Sequence, residues 1–280
     1  MIITVIGLGL LGGSFALGLK AKHTGIHIIG VDNSATHAAQ ALRLGLADEV
    51  LPLEEAILKS DVVVLAVPVS AIARLILPVL DKLPENAMLI DFGSTKEQIC
   101  SIAENHPRRK QFVAAHPIAG TEYSGPEAAF AALLYEKTMI ICEKEKSAPA
   151  ALALAEQLCR SLNMPLRYMQ AAEHDLHLAY VSHLSHISSF ALGITVLEKE
   201  QDEKNIFDMA GSGFSSTVRL AKSSPQMWAP IFSQNKKNVS QALDSYIAQL
   251  QRFKAAIDAE DEAQASALMA EANNIRRILG

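Results

Sequence analysis

The sequence has few cysteines, no excess of basic residues and no long uninterrupted hydrophobic run, and each shortage removes a class of function. Three cysteines, Cys100, Cys142 and Cys159, are odd in number, far apart and without C-x-x-C spacing. That excludes a disulfide framework and is expected of free thiols in a reducing compartment. Lys and Arg total 25 against 30 Asp and Glu, a formal net charge of -5, so no global basic field invites nucleic acid or an anionic membrane surface. The first apolar stretch, "MIITVIGLGLLGGSFALGL", has no basic leading region and is interrupted by five glycines, unlike a signal peptide. No other run reaches the roughly 18 unbroken apolar residues of a membrane span. These shortages predict a soluble cytoplasmic protein that acts on small molecules.

What is present is an ordinary globular composition, 50% hydrophobic and 20% charged over 280 residues, enough for two domains. Short β-branched runs, "IITVIG", "HIIGVD", "VVVLAVP", "MLIDFGS", "QFVAAHP", "TMIICE" and "LRYMQ", alternate with helical stretches over about 170 residues. That alternation predicts a Rossmann-like, doubly wound parallel sheet with helices on both faces. From about Ala171 the spacing is helical throughout, and Ser224-Pro225 is a helix start signal. The expected organisation is an α/β domain over residues 1–170 followed by an all-α domain over 171–280. The long helix beginning near Ala171 is more apolar than one buried face requires, which predicts association with a second copy.

"VIGLGLLGGS" places Gly7-x-Gly9-x-x-Gly12 between the first strand and the first helix, and the second strand ends in Asp32, 20 residues past Gly12. This is the context that a dinucleotide fingerprint needs. Gly7 allows the tight turn, Gly9 lets backbone approach a pyrophosphate, and Gly12 permits close helix packing. The loop Gly7, Leu8, Gly9, Leu10, Leu11, Gly12 leads into a helix N-terminus with free N–H groups. Asp32 is expected to accept hydrogen bonds from ribose hydroxyls and to repel a 2′-phosphate. With no arginine in "DNS", NAD is predicted rather than NADP. Ligands of open α/β sheets lie beyond the carboxyl ends of the strands, where "AVP" (with Val67 and Pro68), "DFGS" (with Ser94) and "AHP" (with His116) all fall.

His116 precedes a proline, which holds it extended at a strand end. A neutral imidazole there suits a general base that receives a hydroxyl proton during hydride transfer. The plainer alternative is a half-buried histidine satisfied by backbone. Ser94 could fix the tautomer of His116, cap the helix that follows, or do both. His174, His177, His183 and His186 suggest a metal cluster at first sight. At about 100° per residue the first pair and the second pair point to nearly opposite helix faces, so no metal is predicted. Arg219 is a cation in a stretch short of charge, fit to bind a carboxylate, with a surface role as the alternative. Trp228 is the sole tryptophan, a wall of the pocket or simple packing.

Together "GLGLLGGS", "DFGSTK", "HPIAGTEYSG", "EHDLHLAYVSHLSH" and "GSGFSSTVRLAKSSPQMW" resemble the prephenate/arogenate dehydrogenase family of tyrosine biosynthesis over nearly the whole chain. The resemblance implies His116 as the group that takes the ring hydroxyl proton and Ser94 between it and the nicotinamide. It implies Arg219 as the ligand of a substrate carboxylate, with His186, Glu122, Thr121 and Trp228 lining the pocket, and a homodimer formed through the helical domain. The implied substrate is prephenate or, alternatively, arogenate. The chain departs from the family in "AGSGFSSTVR", where Ser212, Ser215 and Ser216 replace a glycine run and a charged pair. It also ends near Gly280 without an ACT-type regulatory domain or a fused chorismate mutase, so any tyrosine feedback is expected at the active site. Two rivals differ in kind. A β-hydroxyacid dehydrogenase or pyrroline-carboxylate-type reductase would rely on a helical-domain lysine or on NADPH. A non-catalytic NAD sensor would tolerate loss of His116.

Overall fold

The apolar runs of the sequence become strands of one sheet: β1 (Ile2–Ile6), β2 (His27–Val31), β3 (Glu49–Val50), β4 (Val62–Leu65), β5 (Met88–Asp91), β6 (Phe112–Pro117), β7 (Met139–Cys142) and β8 (Leu166–Met169). The computed structural model describes residues 1–203 and 205–279, and the strand order is β3-β2-β1-β4-β5-β6-β7-β8. Every residue of β4, β5, β6 and β7 is buried. A strand covered on both faces has no solvent side, which is why these runs read as continuous apolar sequence rather than as alternation. β3, with two residues, is too short to announce itself.

Helices α1 (Leu10–Lys22), α2 (Ala35–Arg43), α3 (Leu53–Lys59), α4 (Val69–Lys82), α5 (Glu97–Ala103) and α6 (Pro149–Ser161) connect the strands. Phe15 and Leu19 of α1, Ala41 of α2 and Leu158 of α6 pack on one face of the sheet. Ile57 of α3, Ile72 and Ile76 of α4 and Ile99 of α5 pack on the other. The doubly wound α/β architecture read from the sequence is therefore present. One pairing differs from the expected parallel sheet: β6 and β7 run antiparallel. A parallel return needs a crossover long enough to span a face. Residues 118–138 hold only one short 3-10 turn, Pro126–Ala128, among turns, so the chain doubles back at the carboxyl edge of the sheet.

The helical part continues with α7 (Ala171–Leu178), a π turn (Ala179–His183), α8 (Leu184–Asp202), α9 (Ser212–Thr217), a 3-10 turn (Arg219–Lys222) and α10 (Pro225–Gln234). Ser224 and Pro225 do open α10, although Ser224 Oγ bonds Gln226 Oε1 at 2.9 Å instead of a backbone amide. Ala171 and Leu178 of α7 and Trp228 and Ile231 of α10 join the core on the α4–α5 side of the sheet. The chain thus divides into two compact units, Met1–Asn235 and Lys236–Gly280. The second is built of α11 (Lys236–Asp258), α12 (Glu262–Ala272) and α13 (Arg276–Leu279). Asp261 caps α12 by accepting from Gln264 N at 2.8 Å, and Arg252 of α11 pairs with Glu271 of α12 at 3.4 Å.

From β1 the sheet grows in both directions, to β2 and to β4. Where neighbouring strands continue to opposite sides, their carboxyl ends open a crevice, and the glycine loop stands at that point.

Candidate active site

Gly7 ends β1 at φ +98, in the region open to glycine. A Cβ there would lie 2.6 Å from Ala66 O and 2.7 Å from Val67 Cγ1, and one at Gly12 would lie 2.1 Å from Gly7 O. These two positions therefore exclude any side chain. Gly9 is different. Its Cβ would meet nothing closer than Gly125 N at 4.0 Å, so backbone faces open space at the start of α1, where Gly9 is the N-cap. The first-turn N–H groups of a helix have no intrahelical acceptor, and here they adjoin that space. Leu8 turns its side chain into the core toward Gly30, and its backbone N–H donates to Asp32 Oδ2 at 3.1 Å. Asp32 Oδ1 accepts from Ser34 N at 2.9 Å. The carboxylate is thus held at the end of β2 with lone pairs to spare. Leu10 and Leu11 are half-buried against the core, Val67 is half-buried, and Pro68 is exposed at the head of α4.

The 118–138 segment brings the "HPIAGTEYSG" stretch to the same edge. Phe130 N donates to Ser14 Oγ of α1 at 3.0 Å, Gln40 of α2 bonds Glu127 at 3.1 Å, and Gly125 stands beside Gly9. Thr121 Oγ1 accepts from Tyr123 N at 3.2 Å, which tightens the turn. Glu122 follows, half-buried, and pairs with Arg219 Nη1 at 3.3 Å across 97 residues. Arg219 is therefore not the lone cation that its neighbourhood in sequence suggested.

His116 sits at the end of β6 and is 8% exposed. Its Nδ1 lies 2.9 Å from His174 Nε2, and His174 Nδ1 lies 2.7 Å from Asp175 Oδ1. The Asp175 carboxylate also accepts from Lys96 N at 2.7 Å and Glu97 N at 3.0 Å. It therefore caps α5 from a distant helix, and Ser94 does not. Among the described residues no hydrogen bond joins Ser94 to His116. The ring nitrogen of His116 that has a protein partner, Nδ1, is engaged by His174.

Beneath these groups is a fully buried ion pair. Lys96 Nζ contacts Asp91 Oδ2 and donates to Ala115 O at 2.8 Å. Asp91 accepts from Gly93 N at 2.9 Å and Ala115 N at 3.3 Å. The pair thereby clamps the end of β5 to the residue next to His116.

The π turn at Ala179–His183 changes the expectation drawn from helix phase. An ideal α-helix would put His174 and His183 on opposite faces. The wider turn inserts an extra residue, and both rings are fully buried in one cluster, where Asn235 Nδ2 donates to Asp175 O at 2.6 Å and lies 3.2 Å from His183 Nδ1. His186, one turn on, stacks on Trp228 with ring centroids 3.5 Å apart and holds Ser182 O at 3.0 Å through Nδ1. Trp228 is 7% exposed, and its Nε1, like His183 Nε2, is buried without a hydrogen-bond partner among the described residues.

Burial pushes all four of these histidines down from the ordinary 6.5. His116 is held well below it, with His174, Lys96 and His183 adding to the effect. His174 is lowered by burial against the opposing pull of Asp175, His183 falls to about 4, and His186 is lowered by burial and by Arg219. An unfolded chain binds protons at these positions more readily than the fold does, so their contribution to stability is complete above about pH 6.5 and is lost as pH falls toward 4. The urea midpoint is expected to drop steadily between pH 7 and 5. A midpoint constant over that range would show that the rings are not held neutral.

A family model described as the prephenate dehydrogenase nucleotide-binding domain matches residues 15–166, and one described as the prephenate dehydrogenase dimerization domain matches residues 170–271. The chain belongs to the prephenate dehydrogenase family. It is 31% identical over 266 residues to a prephenate dehydrogenase of Bacillus subtilis, covering 92% of this chain and 71% of that one. It is 29% identical over 261 residues to a cyclohexadienyl dehydrogenase of Zymomonas mobilis, covering 92% and 89%. Among solved structures it resembles the prephenate dehydrogenase of A. aeolicus in complex with hydroxyphenyl propionate and NAD+, with a TM-score of 0.89, 30% identity, and coverage of 100% of this chain and 98% of that one. The residues of this cluster to which sequence reading assigned no role are Asp91, Lys96, Asp175 and Asn235, and His174 was weighed only as a metal ligand. Asp91 and Lys96 left a signal as an acid and a base inside the run "MLIDFGSTK", and His174 and Asp175 stand in the quoted stretch "EHDLHLAYVSHLSH".

Proposed function

We propose that the chain is an NAD-dependent prephenate dehydrogenase, oxidising the ring carbinol of prephenate with loss of CO₂ to give 4-hydroxyphenylpyruvate. The observation that carries this reading is His116. It is a buried imidazole kept neutral at the carboxyl edge of the sheet, with one ring nitrogen engaged by His174, on the same edge as a glycine loop whose open backbone suits a pyrophosphate. The loop Gly7–Gly12, Asp32, Val67, Pro68 and Ser94 are the residues that would hold NAD, the Asp32 carboxylate favouring a free ribose over a 2′-phosphate. When bound, NAD supplies the hydride acceptor.

His116 takes the hydroxyl proton as the carbinol becomes a ketone. That ketone is conjugated to the carbon bearing the ring carboxylate, so departure of CO₂ sends its electron pair into the ring and onto the oxygen. The phenolate then recovers the proton from His116, leaving the base ready for another turn. Aromatisation makes the sequence effectively irreversible, and the protein's task is orientation and one proton transfer each way. Arg219 binds a substrate carboxylate by exchanging Glu122 for it, and His186, Thr121 and Trp228 line the pocket.

The test is absorbance of reduced nicotinamide with prephenate and with arogenate, each with NAD and NADP. Turnover with prephenate and NAD is expected. Preference for arogenate would keep the mechanism and change the substrate, and NAD binding without turnover would favour the sensor reading. Arg219→Gln is expected to raise KM for the substrate by roughly 10- to 100-fold, the worth of a charged hydrogen bond, with kcat nearly unchanged. An unchanged KM would confine Arg219 to its ion pair with Glu122.

We further propose a homodimer acting in the cytoplasm. Ile194 and Leu197 on α8, and in the second unit Leu250, Ile257 and Met269, are each at least half exposed, which is more apolar surface than a helix facing water ordinarily carries. Among the described residues no helix is long and apolar enough to cross a membrane, and the three cysteines are free and buried.

A further inference from the structure

We infer that His174 and Asp175 form a relay that positions His116, selecting the tautomer in which Nδ1 carries the proton and Nε2 is bare. The inference rests on the reading of His116 as the base, and it assigns that base its partners. The polarity of the chain of hydrogen bonds begins at backbone amides, which can only donate. Lys96 N donates to Asp175 Oδ1 and Glu97 N to Asp175 Oδ2, so both carboxylate oxygens act as acceptors. The contact of 2.7 Å between Asp175 Oδ1 and His174 Nδ1 therefore has His174 as donor. Burial keeps His174 neutral, so its proton is on Nδ1 and its Nε2 is a lone pair. Across the 2.9 Å contact, His116 Nδ1 must donate to that lone pair. The remaining nitrogen of His116, Nε2, is then obliged to be the acceptor. Every link is forced by the one before it.

The same geometry supports the imidazolium. When Nε2 takes a proton, the positive ring donates from Nδ1 to a neutral acceptor whose far side rests on a carboxylate. This is the arrangement by which an acid behind an imidazole orients it and stabilises its charge, here with a second imidazole between them. The carboxylate is itself immobilised, since Asp175 is 1% exposed and tied to α5. His174 and Asp175 are positioning residues. Neither needs to touch the substrate.

His174 is the residue to change, because altering Asp175 would also uncap α5. In the unmodified protein, ¹⁵N-histidine NMR is expected to show His116, assigned by its loss in His116→Asn, as the Nδ1–H tautomer. In His174→Leu, which removes the acceptor, kcat should fall on the order of 10²-fold with KM for substrate and for NAD within about twofold, and His116 should shift toward the Nε2–H form. His174→Gln, whose amide oxygen can accept from Nδ1–H, should recover most of the loss. The inference is overturned if His116 is the Nε2–H tautomer in the unmodified protein, or if His174→Leu keeps both kcat and tautomer. The NMR arm needs no turnover and no variant of His174. Failure to oxidise prephenate or arogenate would therefore sink the functional reading and leave the relay separately decided.

Discussion

Replacing His116 by asparagine is expected to lower kcat by roughly 10²- to 10⁴-fold, the contribution of a placed general base, with affinity for NAD nearly unchanged. Asparagine is the informative choice because its amide N–H can still donate to His174 Nε2, so the partner is not left unsatisfied while the basic nitrogen is lost. The effect belongs in kcat because proton acceptance occurs only as the carbinol is oxidised. A companion measurement is the pH dependence of kcat/KM. The neutral ring is the active form, and burial with His174, Lys96 and His183 nearby holds it well below 6.5. Activity should therefore persist through pH 6.5 and decline only at lower pH, as the ring becomes protonated. A near-normal kcat in His116→Asn, or an acid limb at or above 6.5, would remove His116 from the role.

Lys96→Met is expected to destabilise the protein by about 3–5 kcal/mol, the usual penalty for breaking a buried ion pair by deleting one partner. Lys96 and Asp91 are both fully buried. Without the ammonium, the carboxyl retains the Gly93 and Ala115 amides as its donors among the described residues, and Ala115 O loses the Lys96 donor. Set against a total stability of typically about 5–15 kcal/mol, that is a large fraction, to be read from the urea midpoint at pH 7. Removing both charges in Asp91→Asn/Lys96→Met should recover much of the loss, since an amide can still accept from Gly93 N. A single variant as stable as the parent would mean that the pair contributes nothing to the fold. Because Lys96 also braces the residue before His116, the single variant should lose activity beyond its loss of folded protein.

These two sites differ in how legible they were. His116 could be singled out because its signals are local: an apolar strand, then a proline that fixes the backbone, at an edge where such sheets bind ligands. The glycine loop and Asp32 were legible for the same reason, one βαβ unit being a short-range object with a fixed spacing. Lys96 stood in a quoted motif without its role being visible, since nothing in "DFGSTK" says that the lysine folds back under the sheet. Ser94 was read as the tautomer-fixing neighbour or as the helix cap. In the structure His116 Nδ1 lies against His174 Nε2, and the amides of Lys96 and Glu97 donate to Asp175. Helix phase misplaced His174 and His183 because it assumes an unbroken 3.6-residue repeat, and a π turn between them shifts the register. The antiparallel return of β7 was missed because a strand's burial pattern does not carry its direction.

By itself the sequence determined the doubly wound sheet, the helical continuation, the glycine loop after β1 and the histidine at the edge of β6. Each of these depends on hydrophobic periodicity, a glycine's backbone freedom or a proline's restriction, which act between near neighbours. Only the tertiary structure decided what holds His116, what caps α5 and what neutralises Lys96 and Arg219. The contacts that settle three of these join residues 58, 79 and 97 positions apart. Lys96 and Asp91 are five apart, yet they meet only because the packed sheet removes both from water and leaves each the other's compensation.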